Sequence, residues 1–281
     1  MKVLVTYSTI EYQKKANFLA KTAKVIAGFD KVLSYTDNDI DNDFKKTYSS
    51  ILKHEKGAGF WLWKPYILMK AISAVQYNDY IFYADAASFF IGKIDILINV
   101  MEDNNQEIMA FELPLLERQW SKMELFFNMN MPFKLYGDTN QIGASFILIK
   151  KTKKNEIFIK DYLRYSSLSE NIMDQPLDLQ LQDCNFISHR NDQSIFSLLY
   201  KKYNLKPFRD PTQYGEFSTK YSGIGYFQYE FNKLYKLDNG REFRVHKLNE
   251  EYGAIILHVR LSNIFRCLIT YVIQKILIKV K

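Results

Sequence analysis

Three polar points along the chain carry residue types that could do chemistry together. Thr6-Tyr7-Ser8 follows a short apolar run, Asp85 follows Tyr80-Ile81-Phe82-Tyr83-Ala84, and Lys64 stands directly before Pro65. Proline favours the first helical position, which would make Lys64 the residue that caps a helix. A cation there is disfavoured by the helix dipole unless an anion shares the site, and backbone N–H groups beside an ammonium make a phosphate-binding corner. Plainer readings exist for each: a solvated lysine beside two core tryptophans, a turn aspartate, and ordinary loop hydroxyls. Further on, Asp192-Gln193 open another helical stretch, with His189 just ahead. An acid at a helix start is favoured by the dipole alone, and a lone histidine is more often a satisfied structural residue than a ligand. Glu112, after Ile108-Met109-Ala110-Phe111, reads as a strand-end carboxylate able to serve as a base if the chemistry inverts.

These points need a scaffold, and the hydrophobic pattern supplies one. Residues 2–5, 32–35, 80–84 and 142–149 read as strands, and stretches ending at Lys21, following Pro65, at 156–166 and at 191–203 read as helices. After Pro65, Leu68, Ala71, Ile72 and Val75 fall at the i, i+3, i+4, i+7 spacing of one buried helical face. Strands alternating with helices predict an α/β sheet with helices on its faces, and ligands gather at the carboxyl ends of such strands. Residues 37–43 form an acidic loop, the pattern fades between 164 and 188, and residues 209–245, rich in Tyr, Phe and Gly, suit an acceptor-side insertion.

Composition narrows the function. The chain has 281 residues, 47% of them hydrophobic and 25% charged, with 11 Gly and 6 Pro, so neither disorder nor a collagen-like state is expected. The net charge of +7 is unevenly placed: five basic residues and no acid follow Val259, leaving residues 1–258 at +2. A nucleic-acid-binding surface is therefore not expected. Cys184 and Cys267 form neither a metal-knuckle spacing nor a disulfide framework, which suits a reducing compartment. The N-terminus turns polar too early for a secretory segment, and a cytoplasmic protein is expected.

Taken together the motifs are more specific. Lys56-Gly57-Ala58-Gly59-Phe60-Trp61-Leu62-Trp63-Lys64-Pro65-Tyr66 resembles the G-x-G-[FY]-W-x-W-K-P-[YF] signature of a bacterial glycosyltransferase group that builds surface polysaccharides of the capsule, lipooligosaccharide or O-antigen type. Tyr83-Ala84-Asp85-Ala86-Ala87 is similar to that group's Y-x-D-A-G segment, the counterpart of a metal-binding D-x-D. His189-Arg190-Asn191-Asp192-Gln193-Ser194 resembles its H-R-x-D-Q-S helix start, and His258 with Arg260 resembles a basic element near the end. The resemblance implies an α/β, GT-A type nucleotide-diphospho-sugar transferase fold: a Rossmann-like mixed sheet flanked by helices. It implies a domain over 1–258, with a donor half to about 150 and an acceptor half beyond, and a separate helix over 259–281. It further implies a nucleotide-sugar donor, UDP-linked before GDP-linked, and a glycan or lipid-linked acceptor. Thr6, Tyr7, Ser8, Trp63, Lys64, Tyr83 and Asp85 would contact the donor. Asp85 and His258 would hold Mn²⁺ or Mg²⁺, and His189, Asp192 and Gln193 would serve catalysis with retention of configuration. Ala87 stands where a D-x-D enzyme has its second carboxylate, so the metal set departs from that pattern.

The last segment is a separate expectation. From Leu261, residues including Ile264, Phe265, Leu268, Ile269, Val272, Ile273 and Ile276 share one helical face, with Asn263, Thr270, Gln274 and Lys281 opposite. With only basic charges, such a helix over 261–281 suits peripheral contact with the inner face of an anionic membrane, or docking on the domain or on a second subunit. Two other functions fit the same pattern: transfer of another activated group, such as a modified phosphate or alditol, and a non-catalytic glycan- or membrane-binding protein.

Overall fold

The computed structural model describes residues 1–216, 230–248, 252–259 and 264–279, with side chains of the last segment described to 276. Arg260, Leu261, Asn263 and Lys281, with part of 209–245, lie outside the described residues. A five-stranded mixed sheet forms the centre, in the order β2 (Lys31–Tyr35), β1 (Lys2–Tyr7), β3 (Tyr80–Ala84), β6 (Asn140–Lys150), β5 (Ile108–Leu116). Strands β2, β1 and β3 run parallel, while β6 runs antiparallel to both β3 and β5.

Alternation along each strand sends side chains to two cores. Val3, Val5, Ile81 and Tyr83 face one side with helices α2 (Trp63–Ser73), α4 (Lys153–Ser166) and α5 (Asp192–Lys202). Leu4, Phe82 and Ala84 face the other with α1 (Gln13–Thr22) and α3 (Asp95–Asp103). Both faces of the sheet are covered, which is why its strands read as nearly continuous apolar runs.

Two small strand pairs complete the site's surroundings. β4 (Ser88–Phe90), just beyond Asp85, pairs with β9 (Ile256–His258), setting Ser88 opposite His258. β7 (Leu234–Lys236) and β8 (Glu242–Arg244) form a hairpin. Helix α6 (Ile264–Lys279) docks through Tyr271, which packs with Phe89, Leu257 and Val259.

Two expectations are corrected. Glu112 does not end its strand: β5 continues to Leu116 across two register shifts, and the Glu112 N–H donates to Phe208 O at 2.8 Å. Lys64 does not cap its helix: Trp63 is the first helical residue and Leu62 the cap, with Pro65 in the first turn, where a missing N–H costs nothing.

Candidate active site

The segment preceding α2 is bent by a run of positive φ angles from Gly57 to Trp61. Gly59, at φ +90°, is also crowded: a Cβ there would lie 2.7 Å from the Leu52 Cα. The tight loop brings Gly57 O within 2.9 Å of the Trp63 indole N–H, which pins the start of α2. At Gly59 glycine is needed, because a side chain there would both strain the backbone and collide with Leu52.

Pinned in this way, α2 buries Lys64 to 3% exposure in the centre of the molecule. Its Nζ lies 2.7 Å from Asp192 Oδ2 and 3.7 Å from Asp85 Oδ1, and donates to Ala144 O at 3.2 Å. One ammonium thus serves carboxylates from the end of β3 and the start of α5. Burial alone would lower the Lys64 pKa, but Asp192 and Asp85 together hold it above the usual lysine value. Burial raises Asp192, and Lys64 opposes that rise. Two tyrosines complete the cluster: Tyr83 donates to Asp85 Oδ1 at 2.7 Å and Tyr162 to Asp192 Oδ2 at 3.1 Å. Burial, reinforced by these carboxylates, pushes both phenols well above their ordinary pKa, so they remain donors. Asp192 is enclosed, at 4% exposure, whereas the Asp85 side chain is 29% exposed.

Thr6 is buried and donates to Ala84 O at 2.8 Å, joining the end of β1 to the residue before Asp85. Ser8 is buried beside it. Tyr7 stacks on Trp63 with ring centroids 3.9 Å apart and is only 5% exposed, so its ring packs within the protein. Burial, with Asp37 and Asp39 nearby, raises the Tyr7 phenol to about 12.

Gln193 sits beside Asp192, and its orientation can be traced. The Gln141 Nε2 has the oxygens of Glu117 (3.2 Å), Ser121 (3.1 Å), Trp120 main chain (3.3 Å) and Ser194 (3.3 Å) around it. An amide in that company must point its NH2 at them, leaving Gln141 Oε1 to accept from Gln193 Nε2 at 2.8 Å. The buried Glu117 carboxylate is itself held by Lys201 at 2.6 Å and by the Ser197 hydroxyl.

His189 differs from its expected catalytic part. It is 2% exposed; its Nε2 bonds Asn171 O at 2.7 Å and its Nδ1 accepts from the Lys122 N–H at 3.4 Å. Nε2 therefore carries the proton, and burial, with Lys122 nearby, lowers its pKa to about 3. With both ring nitrogens on main chain, His189 anchors the loop before α5. Asn191, at φ +51°, is equally tied, donating to Ile172 O at 2.7 Å.

His258 is half-buried across the β4–β9 pair from Ser88, edge-on to Phe146 at 5.9 Å, with Val259 N–H donating to Ala87 O at 2.8 Å. The Ala87 position is thus engaged through its main chain. Among the described residues no three His, Cys, Asp or Glu side chains converge on a cation position. Asp85 Oδ1 is already shared by Tyr83 and faces Lys64, so the donors around it among the described residues do not fit a resident divalent ion.

Sequence reasoning missed Tyr162, Gln141 and Glu117. Tyr162 lies in an amphipathic helix and Gln141 at the start of an apolar strand, where neither type advertises a role, and Glu117, next to Arg118, reads as an ordinary surface charge.

No family model matches the chain, and no curated protein sequence does either. Solved structures do. Mouse xyloside xylosyltransferase 1 aligns over 93% of this chain and 98% of its own, at 12% identity and a TM-score of 0.51. The galactosyltransferase LgtC, solved with donor and acceptor sugar analogues, aligns over 92% and 87% at 11% identity and a TM-score of 0.47. GlyE of Streptococcus pneumoniae TIGR4 aligns over 96% of this chain and 59% of its own, at 13% identity and 0.46. The mixed sheet between helical layers and the likeness to the first of these define the fold: this is an α/β protein with a GT-A type of fold.

Proposed function

We propose that the chain is a glycosyltransferase that moves a sugar from a nucleotide-diphosphate donor, UDP-linked in the first instance, to a glycan acceptor of bacterial surface-polysaccharide type. The supporting observation is the buried Lys64 ammonium held between Asp192 and Asp85 at the carboxyl ends of β1 and β3. Departure of a nucleoside diphosphate builds negative charge, and a fixed cation in a low-dielectric site stabilises it without reorganising. Asp85 is the more exposed carboxylate, the one the donor meets. Lys64 supplies positive charge behind it, while Thr6, Ser8 and Tyr83 hold the strand ends that carry the site. Asp192 keeps Lys64 in place, and Gln193, with its amide N–H2 committed to Gln141, turns its carbonyl oxygen toward positive charge developing on the sugar, as transfer with retention requires.

No step in this reading depends on a metal of the protein's own. A divalent ion that accompanies the donor would come with the diphosphate, whose oxygens complete what Asp85 alone lacks. The test is incubation with UDP- and GDP-sugars, following nucleotide release and product mass. Release of UDP with a glycosylated product is expected, and an Asp85→Ala variant should lose it. Full activity in that variant would remove the site, and a product carrying phosphate or alditol would change the transferred group.

A membrane-surface role belongs to the same proposal. In α6, Phe265, Leu268, Ile269, Val272, Ile273 and Ile276 are exposed while Tyr271 docks inward, so the apolar stripe faces away from the domain. The helix has no acidic residue, and Arg266 and Lys275 flank the stripe. An anionic lipid surface suits both features. Among the described residues no helix is long and apolar enough to cross a membrane.

A further inference from the structure

Glu112, a carboxylate outside the Lys64 cluster, lines a cavity of about 230 Å³. The cavity runs along β5, at the edge of the sheet farthest from β2, and is closed by the end of β8 and by the short helix Gln213–Glu216. It stands on the ligand side of the sheet. Ala84, the last residue of β3, pairs with Phe146, whereas Glu112 pairs with Ile142, nearer the start of β6. At about 3.3 Å per residue, Glu112 lies roughly 13 Å beyond the end of β3. Two ties connect the cavity to the donor side. Asn140 Nδ2 donates to Glu112 Oε1 at 3.0 Å, and the next residue is Gln141, whose amide holds Gln193. On the other wall, Gln213 brackets His258 of β9, donating to its carbonyl at 2.7 Å and accepting from its N–H at 2.9 Å. His258 in turn pairs with Ser88, whose hydroxyl donates to Asp85 O at 2.7 Å.

Within the cavity Glu112 is joined to His246. The His246 Nδ1 lies 2.8 and 3.0 Å from the two carboxylate oxygens. An ionised carboxylate only accepts, so Nδ1 carries a proton. Asn140 fixes both members, because its Nδ2 also donates to the carbonyl of Arg244, two residues before His246, at 2.6 Å. The Glu112 side chain is 11% exposed and that of His246 29%. The second ring nitrogen, Nε2, has no hydrogen-bond partner among the described residues. Other carboxylates of the wall are engaged: Asp210 accepts from the Thr212 N–H at 2.7 Å, and Glu216 from the Ala254 N–H and the Tyr271 hydroxyl, each at 2.8 Å.

The chemistry of Nε2 selects a ligand. In a neutral ring it accepts a hydrogen bond, and in a protonated ring it donates one. A hydroxyl serves either state, while an anion serves only the second and an ammonium only the first. Phe231, 49% exposed, adds an apolar wall to the cavity. Its volume falls short of the roughly 300–1,000 Å³ of pockets for drug-sized ligands, which suits a single ring. We infer that the cavity is a subsite for one uncharged sugar unit of the acceptor, with a sugar hydroxyl bonded by His246 Nε2 and the imidazole held by Glu112. This rests on the glycosyltransferase reading and adds to it the residues that select the acceptor and the neutral, hydroxylated class they select.

The probes are methyl β-galactoside, methyl β-glucoside and methyl α-mannoside, titrated into the full chain with and without UDP. The NMR signals of the His246 ring are followed; the chain has four histidines, so this ring is assigned by its loss in His246→Asn. That variant keeps an N–H2 for Glu112 and lacks Nε2. At least one glycoside should move the His246 Nε2 signal, and its affinity should fall about tenfold in His246→Asn with UDP affinity unchanged. Glu112→Gln, which loosens the hold on the imidazole, should weaken the same glycoside to a smaller extent. Glycosides that leave the His246 ring unmoved overturn the inference, as does an affinity that survives His246→Asn. A fall in UDP affinity in that variant also overturns it, because the cavity would then belong to the donor. The wild-type titration decides the matter if a variant does not fold. Failure of the wild-type chain to bind UDP while a glycoside still moves the His246 signal counts against the glycosyltransferase reading and leaves the sugar site standing.

Discussion

Lys64 Nζ and Asp192 Oδ2 meet at 2.7 Å in the interior, with residue exposures of 3% and 4%. Such a pair holds together two segments, α2 and the start of α5, that are remote in sequence. Removing one partner is costly because it strands the other charge in a poor solvent. Lys64→Met should therefore destabilise the protein by roughly 3–5 kcal/mol in urea unfolding. Lys64→Met/Asp192→Asn should recover most of that stability without recovering activity. A double variant as unstable as the single one would show that the ammonium is needed for packing and not for charge balance.

The neutral state of His189 sets a pH dependence of stability. Its pKa falls from an unfolded value of 6.5 to about 3 in the fold, so between these values the unfolded chain binds more protons than the native one. Stability from this group is complete above pH 6.5 and drains away as pH falls toward 3, at up to about 1.4 kcal/mol per pH unit. His189→Gln keeps a donor for Asn171 O and removes the titration. Its unfolding free energy should vary less steeply across that window, as measured by denaturant melts at each pH.

Gln141 acts on Gln193 through a single hydrogen bond of 2.8 Å. Gln141→Met preserves volume but frees the Gln193 amide to rotate. Turnover should fall by about 10²-fold, the scale expected for a misplaced group, while UDP affinity stays unchanged. Parallel losses of both would make Gln141 a structural residue only.

The exposed face of α6 predicts lipid binding. The full chain should float with vesicles containing anionic phosphatidylglycerol and remain unbound with neutral phosphatidylcholine. Replacing Phe265, Ile269 and Ile273 by Ser should abolish flotation with little change in melting temperature, since all three are exposed. Flotation unaffected by these changes would remove the helix from that role.

Much of this arrangement could be read in the chain, for local reasons. The glycine-tryptophan-lysine-proline segment imposes its own loop and helix start, and the apolar runs of β1, β3 and β6 are visible as such. Lys64 meeting Asp192 could not be read, because no local pattern records a contact between residues so far apart in sequence. The end of β5 was obscured by Pro114 and by two register shifts, which break the alternation that marks a strand. His189 carried a functional look because histidine is chemically versatile, yet main-chain groups claim both of its nitrogens.

The pairing of β4 with β9 has a consequence for how the protein comes into being. Ser88 and the turn carrying Asp85 are flanked by residues 256–258, which leave the ribosome long after the central sheet. The turn carrying Asp85 thus lacks its β9 neighbour through most of synthesis, so prematurely terminated chains should accumulate as inert products and not as poorly selective enzymes.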